Sequence, residues 1–183
     1  MQPEQLPPFP EIYETYKNRV FNTVLGYLQN TEDAEETTQD VFVEVHRSMH
    51  RFEGKSSLST WIYRIAVNKS LDFIKSKNRK KRFAFLSSLF DEKGAVQHDR
   101  PDFHHPGVQL EQKENAALLF KTINELPENQ KTAFILSKVE GLGYAEIAEV
   151  MQLSISSVES LLFRAKQNLQ KKLSDYFKNE RKF

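Results

Sequence analysis

Cysteine is absent from all 183 residues, which excludes disulfides and thiolate metal sites at once. No window approaches the roughly 20 consecutive apolar residues that a membrane span needs, so insertion into a bilayer is not expected. The first residues, MQPEQLPPFP, lack the basic start and apolar run of a secretion signal. Strand-like alternation is missing at any useful length. Together these absences predict a cytoplasmic, all-α protein. Hydrophobic residues make up 39% and charged residues 28%, enough for a packed core and against global disorder.

What is present is unevenly distributed. The net charge is only +1. Residues 1–45, however, carry nine acidic and two basic side chains, whereas residues 46–82 carry eleven basic and two acidic ones. Such asymmetry suggests two different partners, one basic and one anionic. Either run alone also reads as a solvated face.

From about Glu11, apolar Ile12, Tyr16, Val20, Val24 and Leu28 recur at helical spacing. Asn30 and Thr31 interrupt, and Glu32, Asp33, Glu35 and Glu36 crowd the first turn of a second helix, where carboxylates suit the helix dipole. Ala34, Thr38, Val41, Val45, Met49 and Phe52 carry that helix onward. A polar loop, GKSS (54–57), precedes a third helix that runs into KSKNRKKR at 75–82. Residues 86–108 lose periodicity and collect Gly94, Pro101, Pro106 and Gly107, a linker composition. A second unit follows: a helix stopped by Pro127, another over about Glu128–Glu140 ended by Gly141, then YAEIAEVM (144–151), a short turn and a long final helix. The reading is two small helical domains, 9–83 and 108–177, joined by a flexible linker at 84–107.

Three constellations carry chemistry. In the final pair, a short helix, a tight turn and a longer helix form a helix-turn-helix, able to set its second helix in the major groove. Val158, Leu162, Ala165, Leu169 and Leu173 face inward. Ser160, Arg164, Gln167 and Lys171 line the opposite face, with Phe163 beside them. Ser156 and Glu159 have the spacing of a capping box, Ser156 as N-cap. Glu159 thus either caps or accepts from cytosine N4, and the spacing favours capping.

The second constellation is Glu36, Gln39, Asp40 and Glu44 on neighbouring turns. It suits docking on a basic protein surface. No histidine, nucleophile or glycine-rich loop joins it to make a catalytic centre, and a solvated face is the plainer reading. The third is a thin polar stripe on the third helix, Arg64, Asn68, Asp72 and Lys75, with Trp61 at its edge. Ile62, Ala66 and Phe73 lie opposite, and Val67, Leu71 and Ile74 cover the flank between. A surface helix normally shows a narrow apolar stripe instead. Asn and Arg can hydrogen-bond base edges and the 75–82 cluster can hold phosphates, while Trp61 suits a core role. His98, His104 and His105 lie in the linker without the spacing or carboxylates of a metal site. No metal and no cofactor are expected.

The order of these pieces resembles one family. DAEETTQDVF, FEGKSSLSTWIYRIAVN and LGYAEIAEVM with SSVESLLFRAKQNL closely resemble the second and fourth regions of extracytoplasmic-function sigma factors of bacterial RNA polymerase. The resemblance implies a non-enzymatic specificity subunit, monomeric when free. It would bind the polymerase core through the largest subunit's coiled coil and the flap, recognise promoter DNA, and answer to a cognate anti-sigma factor. It further implies that Glu36, Gln39, Asp40 and Phe42 grip the core. Gly54, Lys55, Ser56 and Ser57 with the stripe at Arg64, Asn68, Asp72 and Lys75 would recognise the minus-ten element. Ser156, Ser157, Glu159, Ser160, Phe163, Arg164, Gln167 and Lys171 would read the minus-thirty-five element. Many relatives have a basic residue where this chain has Glu159 and another at Leu161, so the upstream preference does not transfer. The alternative is a stand-alone helix-turn-helix regulator with an N-terminal sensing domain.

Overall fold

The computed structural model describes residues 6–90 and 118–180, and every described element is helical. The N-terminal domain contains α1 (Phe9–Leu28), α2 (Thr31–Ser48), a single 3-10 turn (Met49–Arg51) and α3 (Leu58–Phe90). The C-terminal domain contains α4, described over 118–124, then α5 (Glu128–Lys138), α6 (Tyr144–Met151) and α7 (Ile155–Glu180).

Local chemistry sets the boundaries. α1 begins behind Pro8 and ends at Gln29, whose left-handed φ of 54° closes the helix while its N–H reaches Leu25 O. Asn30 caps α2, its side chain accepting from Asp33 N–H at 2.8 Å, with Glu32 and Asp33 against the positive end of the dipole. The expectation that Met49 and Phe52 continue α2 is corrected. The chain tightens into the 3-10 turn after Ser48 and leaves at an extended Phe52. α3 also runs further than the periodicity suggested, through the basic cluster to Phe90, because no glycine or proline intervenes before Gly94. Gly141, with φ +69°, reverses the chain after α5, and Leu142 N–H returns to Leu136 O at 3.0 Å. The histidine-bearing linker lies outside the described residues.

Two apolar cores result. Ile12, Val20, Val24, Ala34, Val41, Val45, Ile62 and Ala66 unite α1, α2 and α3. Ile123, Leu126, Leu136, Ile147, Val158, Ala165 and Leu169 unite α4 to α7. The second core does not stop at the domain edge. Tyr27, Tyr63 and Val67 belong to it, with Leu71 and Ile74 packed alongside. This explains the thin polar stripe. α3 buries Ile62 and Ala66 against its own domain and Val67, Leu71 and Ile74 against the other, so only the remaining edge meets solvent.

Polar contacts reinforce this docking. Lys131 on α5 donates to Tyr27 O at 3.0 Å and to Asn124 Oδ1. Gln29 donates to Phe120 O at 2.6 Å. Gly26 lets α1 approach α5 closely: a Cβ there would lie 3.3 Å from Ile135 Cγ2.

Candidate functional site

The phase set by the Asn30 cap turns Ala34, Thr37, Val41 and Val45 inward and leaves Glu36, Gln39 and Asp40 exposed along one face of α2. None of these three makes a hydrogen bond or ion pair among the described residues. Glu44, which sequence reasoning grouped with them, is instead held by Lys69 Nζ at 3.3 Å. Phe42 requires a correction. It is only 3% exposed, its ring edge-on to Tyr13 at 4.8 Å, so it supports the face from beneath. One residue past inward Val41, it turns onto α1. The apolar groups that do reach solvent beside the acids are Val43 (47% exposed) and Tyr13 (40%). Sequence reasoning missed both, although Val43 lies three residues beyond Asp40, on the same face.

The 54–57 loop divides in role. Gly54 takes φ +68°, the left-handed conformation suited to glycine, and Lys55 is exposed beside Glu53. Ser57 serves as the cap of α3, accepting from Thr60 N–H at 3.1 Å and donating to Thr60 Oγ1 at 2.8 Å. Along α3, Asn68, Asp72 and Lys75 are exposed. Trp61 lies half-buried on Phe52, ring centroids 5.3 Å apart, the supporting position expected of it. Arg64 differs from its neighbours. Its Nη2 donates to Glu149 O on α6 at 2.6 Å, and its Nε is buried without a partner among the described residues. A cleft of about 240 Å³ runs between Arg64 and Asn68 on one side and Met151 and Gln152 on the other. The basic cluster continues from the stripe on the same helix, with Lys77 paired to Asp33 at 2.7 Å.

In the C-terminal domain, Gln152 adopts a left-handed φ of 56° and makes the tight turn between α6 and α7. The cap expected at Ser156 is corrected: it lies two residues earlier. α7 begins at Ile155, and Ser154 is its cap: Ser154 Oγ accepts from Ser157 N–H at 3.2 Å, and Ser154 O accepts from Val158 N–H at 3.1 Å. Ser156 and Ser157 hydroxyls both lie within hydrogen-bond reach of Ser154 Oγ, and Ser160 donates to Ser156 O at 2.9 Å. The serines are therefore engaged locally. Glu159, Phe163, Arg164, Gln167 and Lys171 are exposed, Phe163 at 64%, while Val158, Ala165 and Leu169 are buried.

Comparison with known proteins meets this geometry. The Sigma-70 region 2 model matches residues 12–80, and the Sigma-70 region 4 model matches residues 116–169. The chain is 31% identical to an ECF RNA polymerase sigma-E factor of Haemophilus influenzae over 165 residues, covering 90% of this chain and 87% of that protein. It is 29% identical to the RNA polymerase sigma-H factor of Pseudomonas aeruginosa over 158 residues, covering 86% and 82%. Among solved structures, a sigma factor RpoE bound to the anti-sigma factor NepR from Bartonella quintana superposes with a TM-score of 0.65 at 20% identity, covering 91% of this chain and 96% of that one. CnrH in complex with the cytosolic domain of CnrY gives 0.66 at 17% identity, covering 91% and 88%.

A helical domain with an unpartnered acidic face, followed by a helix-turn-helix and matched to these two regions, defines a sigma factor of RNA polymerase, which directs transcription initiation. Within that class the chain belongs to the extracytoplasmic-function (ECF) sigma factors. No described helix is long and apolar enough to cross a membrane.

Proposed function

We propose that each exposed face has a separate duty in one initiation complex. Domain 9–83 binds the core polymerase, with Glu36, Gln39 and Asp40 meeting the basic flank of the largest subunit's coiled coil. Val43 and Tyr13 add apolar contact, and Phe42 supports the surface. The same domain recognises the minus-ten element through Gly54, Lys55 and Ser56 and through Arg64, Asn68, Asp72 and Lys75, with Ser57 fixing the loop. Domain 108–177 reads the minus-thirty-five element through α7 and meets the polymerase flap. The protein works in the cytoplasm as a monomer, performs no chemistry of its own, and is restrained by a cognate anti-sigma factor, a reading supported by the Bartonella sigma factor's complex with an anti-sigma factor.

The observation that supports this reading best is the pattern of unpartnered side chains. The acidic face of α2, the stripe of α3 and the outer face of α7 carry long polar groups with few internal bonds. Opposite charges at i+3 or i+4 would add stability to a helix, and these faces make few such pairs. Run-off transcription tests the proposal. Core polymerase supplied with this protein should initiate at a distinct promoter set and core alone should not. Specific operator binding without polymerase, and no dependence of transcription on the protein, would favour the stand-alone regulator.

A further inference from the structure

The relocated cap of α7 leaves Glu159 without a structural task. Capping belongs to Ser154, and the third helical position is Ser157, so no reciprocal box forms at Glu159. A helical ion pair needs an opposite charge three or four residues away, and those positions hold Ile155, Ser156, Leu162 and Phe163. Glu159 makes no hydrogen bond or salt bridge among the described residues, and it is exposed. It sits in the second turn, beyond where the helix dipole acts strongly.

Its surroundings say what it is for. At about 100° per residue, Glu159 and Phe163 fall on one flank of the outward face and Arg164 on the other, with Ser156, Ser160 and Gln167 between. The N-terminal turns of a recognition helix are those that reach base edges. A carboxylate placed there repels phosphate and every acceptor on a base. Guanine offers N7 and O6 acceptors, thymine O4, and adenine an N7 acceptor beside its amine. Cytosine alone presents a donor, N4, with no acceptor on the same base.

We propose that Glu159 is a specificity-determining residue of this protein, accepting a hydrogen bond from the N4 amine of one cytosine in the upstream promoter element. The proposal rests on the reading of α7 as the helix that enters that element. Phe163, next along the same flank, meets the neighbouring base through apolar contact, and Arg164 holds the register from the other side.

The test is a promoter selection with holoenzyme assembled from core polymerase and full-length protein, over templates randomised through the upstream element. Wild type, E159A, E159Q and R164A are compared by sequencing the transcribed templates. Wild type should prefer cytosine at one position by about tenfold. E159A should bring that position near parity while leaving the others unchanged, and E159Q should shift it towards adenine, whose N6 and N7 a carboxamide can engage together. An E159A profile that keeps the cytosine, or that changes all positions uniformly, overturns the proposal while leaving α7 as the reader. Wild-type holoenzyme with no upstream selection, matched by an R164A variant with no defect, overturns the reading of α7 and the proposal with it.

Discussion

The Tyr63 hydroxyl donates to Glu140 Oε2 at 2.8 Å, tying the second turn of α3 to the segment that follows α5. The Glu140 side chain is 3% exposed, with the Arg19 guanidinium 3.8 Å away from the other domain. Burial raises the Glu140 pKa above the ordinary 4.5, against hydrogen bonds from Thr23 and Tyr63 and the Arg19 charge that lower it. The same interface buries Lys131, whose pKa falls from 10.5 to about 8. The two domains are thus docked across groups that are less comfortable charged than in water.

That makes docking pH-dependent. For Glu140 the docked pKa lies above the free value, so between the two the docked form binds more protons and docking weakens as pH rises. For Lys131 the docked pKa is the lower one, so docking strengthens as pH rises from about 8 towards 10.5. Small-angle scattering across pH should find the most compact particles at the acid and alkaline ends. E140Q keeps an acceptor for Tyr63 and removes the acid-side dependence. A wild-type profile flat on both sides would contradict this account.

Gly26 offers a mechanical test of the same interface. A leucine there meets Ile135, which already lies 3.3 Å from the position of a Cβ, and it wedges α1 from α5. We expect G26L to raise the radius of gyration of the free protein and to release Arg64 from Glu149 O. Transcription by preassembled holoenzyme should remain near wild type, because Arg64 must leave α6 to meet DNA.

Asp40 and Phe42 should fail differently. D40K reverses an exposed charge and is expected to weaken core binding about tenfold or more with an unchanged melting temperature. F42A removes a buried ring and should destabilise the N-terminal domain by about 3–5 kcal/mol. Core-binding titrations paired with thermal melts separate the two. Equal loss of affinity with unchanged stability in both would show that Phe42 contacts the polymerase directly.

The cap assignment is equally direct to check. S154A should cost about 1 kcal/mol of stability, while S156A and E159A should stay within about 0.5 kcal/mol. Thermal unfolding read on the full chain distinguishes them. A larger loss from S156A than from S154A would restore the cap to Ser156.

Most of the helices were legible because their apolar residues keep a steady period and their ends carry recognisable caps, as at Asn30 and Gly141. Trp61 was legible as support because a large aromatic beside a core rarely stays exposed. Three things were not. The Ser154-Ile155-Ser156-Ser157 run offers three possible hydroxyl caps, and only the left-handed turn at Gln152 decides among them. Phe42 is covered and Tyr13 left half-exposed because the α1–α2 crossing, which no local pattern encodes, decides which ring is covered. The flank of Val67, Leu71 and Ile74 announced burial, yet its partner is a domain that begins more than thirty residues further along the chain.

The central claim is that α3 and α7 meet two separate promoter elements while α2 holds the polymerase. The most direct measurement is site-specific photocrosslinking from Asn68 and from Gln167 in holoenzyme bound at a promoter it transcribes. The account predicts that Asn68 crosslinks to the minus-ten element and Gln167 to the minus-thirty-five element, with both crosslinks lost when D40K blocks assembly. Crosslinks from Asn68 to protein alone, or from Gln167 to DNA at random positions, would contradict it.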